Sequence, residues 1–149
     1  MIDGIIVVPL KRIPDERGCV SHMLKRTDPH FREFGEIYFS SIYPGVVKGW
    51  HIHDRMTINY ACISGNIKLV LFDEREGSTT RGEVQVVYLG ERNYVLVSVP
   101  PGIWNGFMNV DVKESIVANC ATIPHDQTEV KRLDPHQNHI PYQWARKDC

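Results

Sequence analysis

The sequence predicts an all-β protein whose antiparallel strands close on themselves as a sandwich or barrel. Three observations carry this. From residue 36 to residue 123, short runs rich in β-branched and aromatic residues succeed one another, the composition of half-buried strands. Pro, Gly, Asn and Asp separate them in connections of a few residues, and links this short join antiparallel neighbours, whereas parallel strands need long crossovers. With eight or more such strands, closure of the sheet removes the exposed edges that an open sheet would leave for aggregation.

In order, IIVVPL (5–10) is a short apolar strand closed by Pro9, Pro14-Asp15-Glu16-Arg17-Gly18 is a turn, and CVSHMLK (19–25) is a weakly alternating second strand. TDPHFREFG (27–35) has a cap-like Thr or Asp, a Pro near the first helical position and a terminal Gly, so it holds one helical turn or a loop. The main strands are EIYFSSIY, VVKGWHIH, TINYACIS, IKLVLFD, EVQVVYL, YVLVSV, GFMNV and SIVANCATI. Beyond them, the polar tail (124–149) contains Pro124, Pro135 and Pro141 and is expected to wrap over the outside, with Tyr142 and Trp144 as its apolar anchors.

The chain has 149 residues, enough for one domain with one core and no disulfide support. A 42% hydrophobic content, 23% charged content and a net charge of −1 give no electrostatic case for nucleic acid or an anionic membrane. A small anionic ligand would be met by a few placed cations. Cys19, Cys62, Cys120 and Cys149 are scattered without a CxxC pair, which suits reduced thiols in the cytoplasm, with Cys62 and Cys120 buried. No apolar run approaches the roughly 20 residues of a spanning helix, and the first residues lack a signal-peptide pattern.

The stretch GVVKGWHIHDRMTINYACISG (45–65) organises the chemistry. His51 and His53 lie two apart in a strand, so both imidazoles face one side and are expected to share a pocket. An imidazole with an ordinary pKa near 6.5 can take and return protons at neutral pH.

Several collinear segments resemble one family. Gly45-Val46-Val47-Lys48-Gly49-Trp50-His51 is similar to the GVLRGLH of dTDP-4-dehydrorhamnose 3,5-epimerases. Asp15-Glu16-Arg17-Gly18, Asp73-Glu74-Arg75 with Gly77 to Gly82, Leu89-Gly90-Glu91-Arg92-Asn93 and Val99-Pro100-Pro101-Gly102-Ile103-Trp104-Asn105-Gly106-Phe107 match further family segments in the same order. The resemblance implies a double-stranded β-helix (a cupin-type jelly-roll barrel), a homodimer, and a nucleotide-diphosphate 4-keto-6-deoxysugar as substrate, in deoxysugar or surface-polysaccharide (O-antigen) biosynthesis. It makes His51 the base that abstracts the proton beside the ketone. Lys48 takes the place of a phosphate-binding Arg, and Arg17 reaches the substrate, often across the dimer interface. Asn59, Asn105 and Trp104 complete the expected substrate-binding set.

Metal-binding cupins add a Glu soon after HxH and a His after the PxG turn. Here no Glu occurs from residue 54 to residue 59, and Asn105 replaces the later His. Two imidazoles and an amide make a poor ligand set, so neither metal nor another cofactor is expected. The family's proton-donating Tyr falls on Ile123-Pro124, its enolate-binding Lys on Ile58, and the acidic partner of its base has no counterpart. Tyr60, Tyr38, His53 and water remain as candidate acids, with Tyr60 and His53 placed beside His51 in the catalytic set, and inversion at a single centre is expected. Lys48-Gly49-Trp50-His51-Ile52-His53 also resembles the RGFHAH of cupin-type 3,4-ketoisomerases. A non-catalytic sugar-nucleotide-binding cupin is the third reading.

Overall fold

A computed structural model describes residues 1–146. Its twelve strands are β1 (Ile6–Pro9), β2 (Arg12–Asp15), β3 (Gly18–Ser21), β4 (Glu36–Ile42), β5 (Val47–His53), β6 (Ile58–Ser64), β7 (Asn66–Asp73), β8 (Val84–Gly90), β9 (Val95–Val99), β10 (Ile103–Asn109), β11 (Ser115–Ala121) and β12 (Val130–Arg132). They form two five-stranded antiparallel sheets, β1-β9-β6-β11-β4 and β12-β5-β10-β7-β8, and a separate β2–β3 hairpin. Two facing sheets with this interleaved order are the jelly-roll form of the double-stranded β-helix.

Period-two alternation decides which side chains enter the core. Ile58, Tyr60 and Cys62 of β6 point inward with Ile67, Leu69 and Leu71 of β7. Val70 and Phe72 of β7 point outward with Trp50 and Trp104, where the tail covers them with Ile140 and Trp144. The Trp50 and Trp144 rings lie 5.0 Å apart, and Tyr142 meets both edge-on. The tail thus wraps the outer face of the second sheet on the two aromatic anchors expected of it.

The structure refines the sequence reading at several places. Arg12–Asp15 is a strand rather than part of a turn, because the chain folds back only at Glu16 and Arg17. Of the two readings for residues 27–35 the structure takes the loop, with turns and no helix. Strand β10 begins at Ile103, three residues earlier than GFMNV implies, and the tail contributes β12. Cys62 and Cys120 are buried free thiols and Cys19 is exposed, while Cys149 lies outside the described residues. No helix among the described residues is long and apolar enough to cross a membrane.

One close approach positions the site. A Cβ on Gly49 would lie 2.8 Å from the Gly106 Cα, and one on Gly106 would lie 3.0 Å from the Gly49 Cα. Only glycine at both positions lets β5 and β10 come this near. The register is irregular between Asn105 and Phe107, and Asn105 stands directly opposite His51.

Candidate active site

Strand β5 turns His51 and His53 to the inner face, with ring centroids 5.6 Å apart. Beneath His51 lies a polar chain. The Asn105 amide nitrogen donates to the carbonyls of His51 (3.3 Å) and Ile103 (3.1 Å), so its Oδ1 is left to accept. Tyr60 Oη supplies that proton at 2.8 Å. The single phenolic hydrogen is then committed, and the 2.9 Å contact between His51 Nε2 and Tyr60 Oη has His51 as donor. His51 is therefore held as the Nε2–H tautomer, and its Nδ1 makes no hydrogen bond among the described residues.

Burial above all, then the neighbouring His53 and Arg132, lowers the His51 pKa to about 3, with a smaller opposing push from Asn105. The imidazole is neutral at physiological pH, the form a base requires. Tyr60 is fully buried, and its pKa lies well above the ordinary phenol value, chiefly through burial.

His53 has a different partner. Its Nδ1 donates to Glu129 Oε1 at 2.5 Å, and Glu129 Oε2 accepts the backbone N–H groups of Arg55 (3.1 Å) and Met56 (3.2 Å). Burial pushes the Glu129 pKa up, but the hydrogen bond from His53 and those two backbone donors outweigh it and hold the group below the usual value. A buried carboxylate is thus satisfied on both oxygens.

His51 lines a cleft of 240 Å³ between the two sheets. Lys48, Phe107 and Arg132 belong to its side of the cleft, while Tyr38, Ser40 and Asn119 come from β4 and β11 opposite. Arg132 pairs with His51 in the β12–β5 register.

The expected site residues separate accordingly. His51 and Lys48 line the cleft, and Asn105 lies just below, holding His51. Tyr60 is beside His51 as expected, yet its burial and committed proton make it a support rather than an acid open to substrate. His53 shares the inner face but is only 7% exposed and does not line the cleft. Asn59 neighbours the inward Tyr60 and so faces outward, donating to the Cys120 carbonyl at 3.1 Å. Trp104 neighbours the inward Asn105, packs in the outer cluster and donates to Glu74 at 2.9 Å. Arg17 is exposed at the hairpin turn, 2.6 Å from Asp15 and absent from the cleft lining. Sequence reasoning missed Ser40, Asn119, Glu129 and Arg132. The first two were findable by counting inward positions along β4 and β11. The other two have no local signal. Among the described residues no three His, Cys, Asp or Glu side chains gather as metal ligands.

The family model for dTDP-4-dehydrorhamnose 3,5-epimerase matches residues 1–148. The chain belongs to that family. It is a sugar-nucleotide epimerase, an isomerase of deoxysugar or polysaccharide biosynthesis. Among relatives, the spore coat polysaccharide biosynthesis protein SpsL of Bacillus subtilis is 31% identical over 146 residues, covering 97% of each chain. "Probable low-salt glycan biosynthesis epimerase Agl13" of Haloferax volcanii is 34% identical over 143 residues, 95% of this chain and 88% of that one. The crystal structure of a dTDP sugar isomerase from Desulfovibrio desulfuricans G20 superposes with a TM-score of 0.95 at 42% identity, covering 99% of this chain and 94% of the other. The family match favours the epimerase reading over the ketoisomerase and the non-catalytic binder.

Proposed function

We propose that this epimerase inverts carbon beside the C4 ketone of a dTDP-linked 4-keto-6-deoxysugar, with Nδ1 of His51 as the base. The observation that carries this is a neutral imidazole at a cleft wall, clamped through Nε2 by Tyr60 and Asn105, with its other nitrogen unbonded among the described residues. Thymidine is supported by the 42% identity to a protein described as a dTDP sugar isomerase. The 240 Å³ cleft is below the ~300–1,000 Å³ of pockets that enclose a drug-sized ligand. It suits one sugar ring, with the diphosphate passing Lys48 at the rim. Because His51 has no carboxylate partner among the described residues, the enolate and diphosphate supply the counter-charge when it takes the proton.

Incubation of a dTDP-4-keto-6-deoxysugar with the protein in deuterated water, with and without a chelator, tests this. Deuterium should enter beside the ketone in both cases; no incorporation overturns the reading, and loss on chelation overturns the metal-free form of it.

Lys48 meets a group whose charge does not change during the reaction, so it contributes to substrate and transition-state binding alike. Lys48→Ala should raise KM severalfold more than it lowers kcat; the reverse split would place the ammonium at the enolate.

A homodimer brings Arg17 to a neighbour's cleft. Supporting it are the exposed Ile13 and Val20 of the β2–β3 hairpin and Ile37 and Phe39 of edge strand β4, apolar surface that a second copy would cover. Light scattering should give twice the chain mass; a monomer would leave Arg17 a solvated charge. The cytoplasm is the compartment that suits its free thiols.

A further inference from the structure

The segment at Ile123 and Pro124 has no hydroxyl to return a proton from the face opposite the base, and Tyr60, although its strand β6 lies in the sheet facing β5, is buried beneath His51 with its proton given to Asn105. We propose that Tyr38 is that missing donor: a phenol on the wall facing His51, supplied by strand β4. The inference rests on the base assignment above.

Parity places Tyr38 in the cleft. Ile42 of β4 is 2% exposed and belongs to the inner core, so Tyr38, four residues earlier on the same strand, faces inward as well. Tyr38 and His51 both line the cleft, one from each sheet. A sugar ring lying between them presents one face to the imidazole and the other to the phenol. Strand β4 is anchored there by Asn119, which stands opposite Tyr38 in the β11 register and donates to the Tyr38 carbonyl (3.3 Å) and Ser40 Oγ (3.2 Å).

The two tyrosines near His51 differ in what their hydroxyls are free to do. Tyr60 is 0% exposed and its proton is bound to Asn105. Tyr38 is 41% exposed, and its hydroxyl makes no hydrogen bond among the described residues. Burial, aided by Glu36, raises its pKa despite the opposing Arg132 charge, so it carries a proton at neutral pH. Arg132, on the same cleft, stabilises the phenolate left after donation and the enolate before it.

The proton account closes. His51 Nδ1 takes the hydrogen from the carbon beside the ketone, and the C–H electron pair passes into the enolate. Tyr38 O–H delivers a proton to the same carbon from the opposite face as the C4 carbonyl reforms. Solvent returns the imidazolium and phenolate to their starting forms.

Tyr38→Phe separates this role from binding. The variant should keep deuterium incorporation within a few-fold of wild type, since His51 still removes and returns the proton on its own side. Inversion should fall at least about 10²-fold, the usual worth of a positioned acid, with an unchanged thermal midpoint as control. Inversion at the wild-type rate overturns the proposal, and so does an equal loss of exchange and inversion, which would make Tyr38 a binding residue. Failure of the base assignment looks different: the wild-type protein itself would exchange nothing.

Discussion

His51→Asn should lower turnover about 10²- to 10⁴-fold, the range for removal of a positioned base, and should abolish deuterium exchange together with inversion. The amide can still donate toward Tyr60, so the supporting chain keeps a partner, and near-full activity in the folded variant would refute the assignment. The pH profile supplies a second reading. With the His51 pKa lowered to about 3, the base is already unprotonated well below neutrality. The acid limb of kcat/KM should therefore lie far under the ordinary histidine value near 6.5. Stability follows by linkage: below an unfolded-state pKa near 6.5 the unfolded imidazole binds a proton that the folded one refuses. This contribution is present at neutral pH and is lost as pH falls from about 6.5 toward 3. His51→Asn should flatten that part of the curve; an unchanged slope would contradict the burial argument.

Glu129→Ala should be the most destabilising single change at the site. It removes the acceptor of three donors, His53 Nδ1 and the backbone N–H groups of Arg55 and Met56, in a place where Glu129 is only 3% exposed. Buried donors left without an acceptor cost about 1–3 kcal/mol each, so a loss of about 3 kcal/mol or more is expected, which for a chain of this size lowers the midpoint by roughly 6 °C or more. Glu129→Gln, which keeps the shape and one acceptor oxygen, should lose less. Denaturant and thermal unfolding measure both. A loss within about 0.5 kcal/mol for the alanine variant, the size of an ordinary surface change, would show that water replaces the carboxylate without penalty.

The main strands were legible because turn residues and apolar alternation coincide from β4 to β11. Strand β2 was hidden by Pro14 and Asp15, which favour turns but are tolerated in a two-stranded hairpin exposed on its edges. Strand β12 has only Val130 to mark it among polar neighbours. At the site, the HxH spacing placed both imidazoles on the correct face. The errors at Asn59 and Trp104 had a physical remedy in the sequence itself: adjacent residues in a strand point oppositely, so neither can accompany Tyr60 or Asn105 inward. No such count reaches Glu129 or Arg132. Glu129 is 76 positions from His53, and only the register of β12 against β5 brings these residues back to the histidines.

The order of synthesis gives that last short strand a particular weight. Both histidines emerge from the ribosome early, on a strand that can pair with β10 without the tail. Until the chain has been made past Arg132, however, His53 lacks its acceptor, the cleft lacks its arginine and the aromatic face around Trp50 is bare. These contacts cannot close before residues 129 to 132 exist, whatever the rest of the sheet has formed. Assembly of the cleft is consequently tied to synthesis of the chain past Arg132: a nascent sheet can be largely formed and still lack the arginine of the cleft and the acceptor of His53.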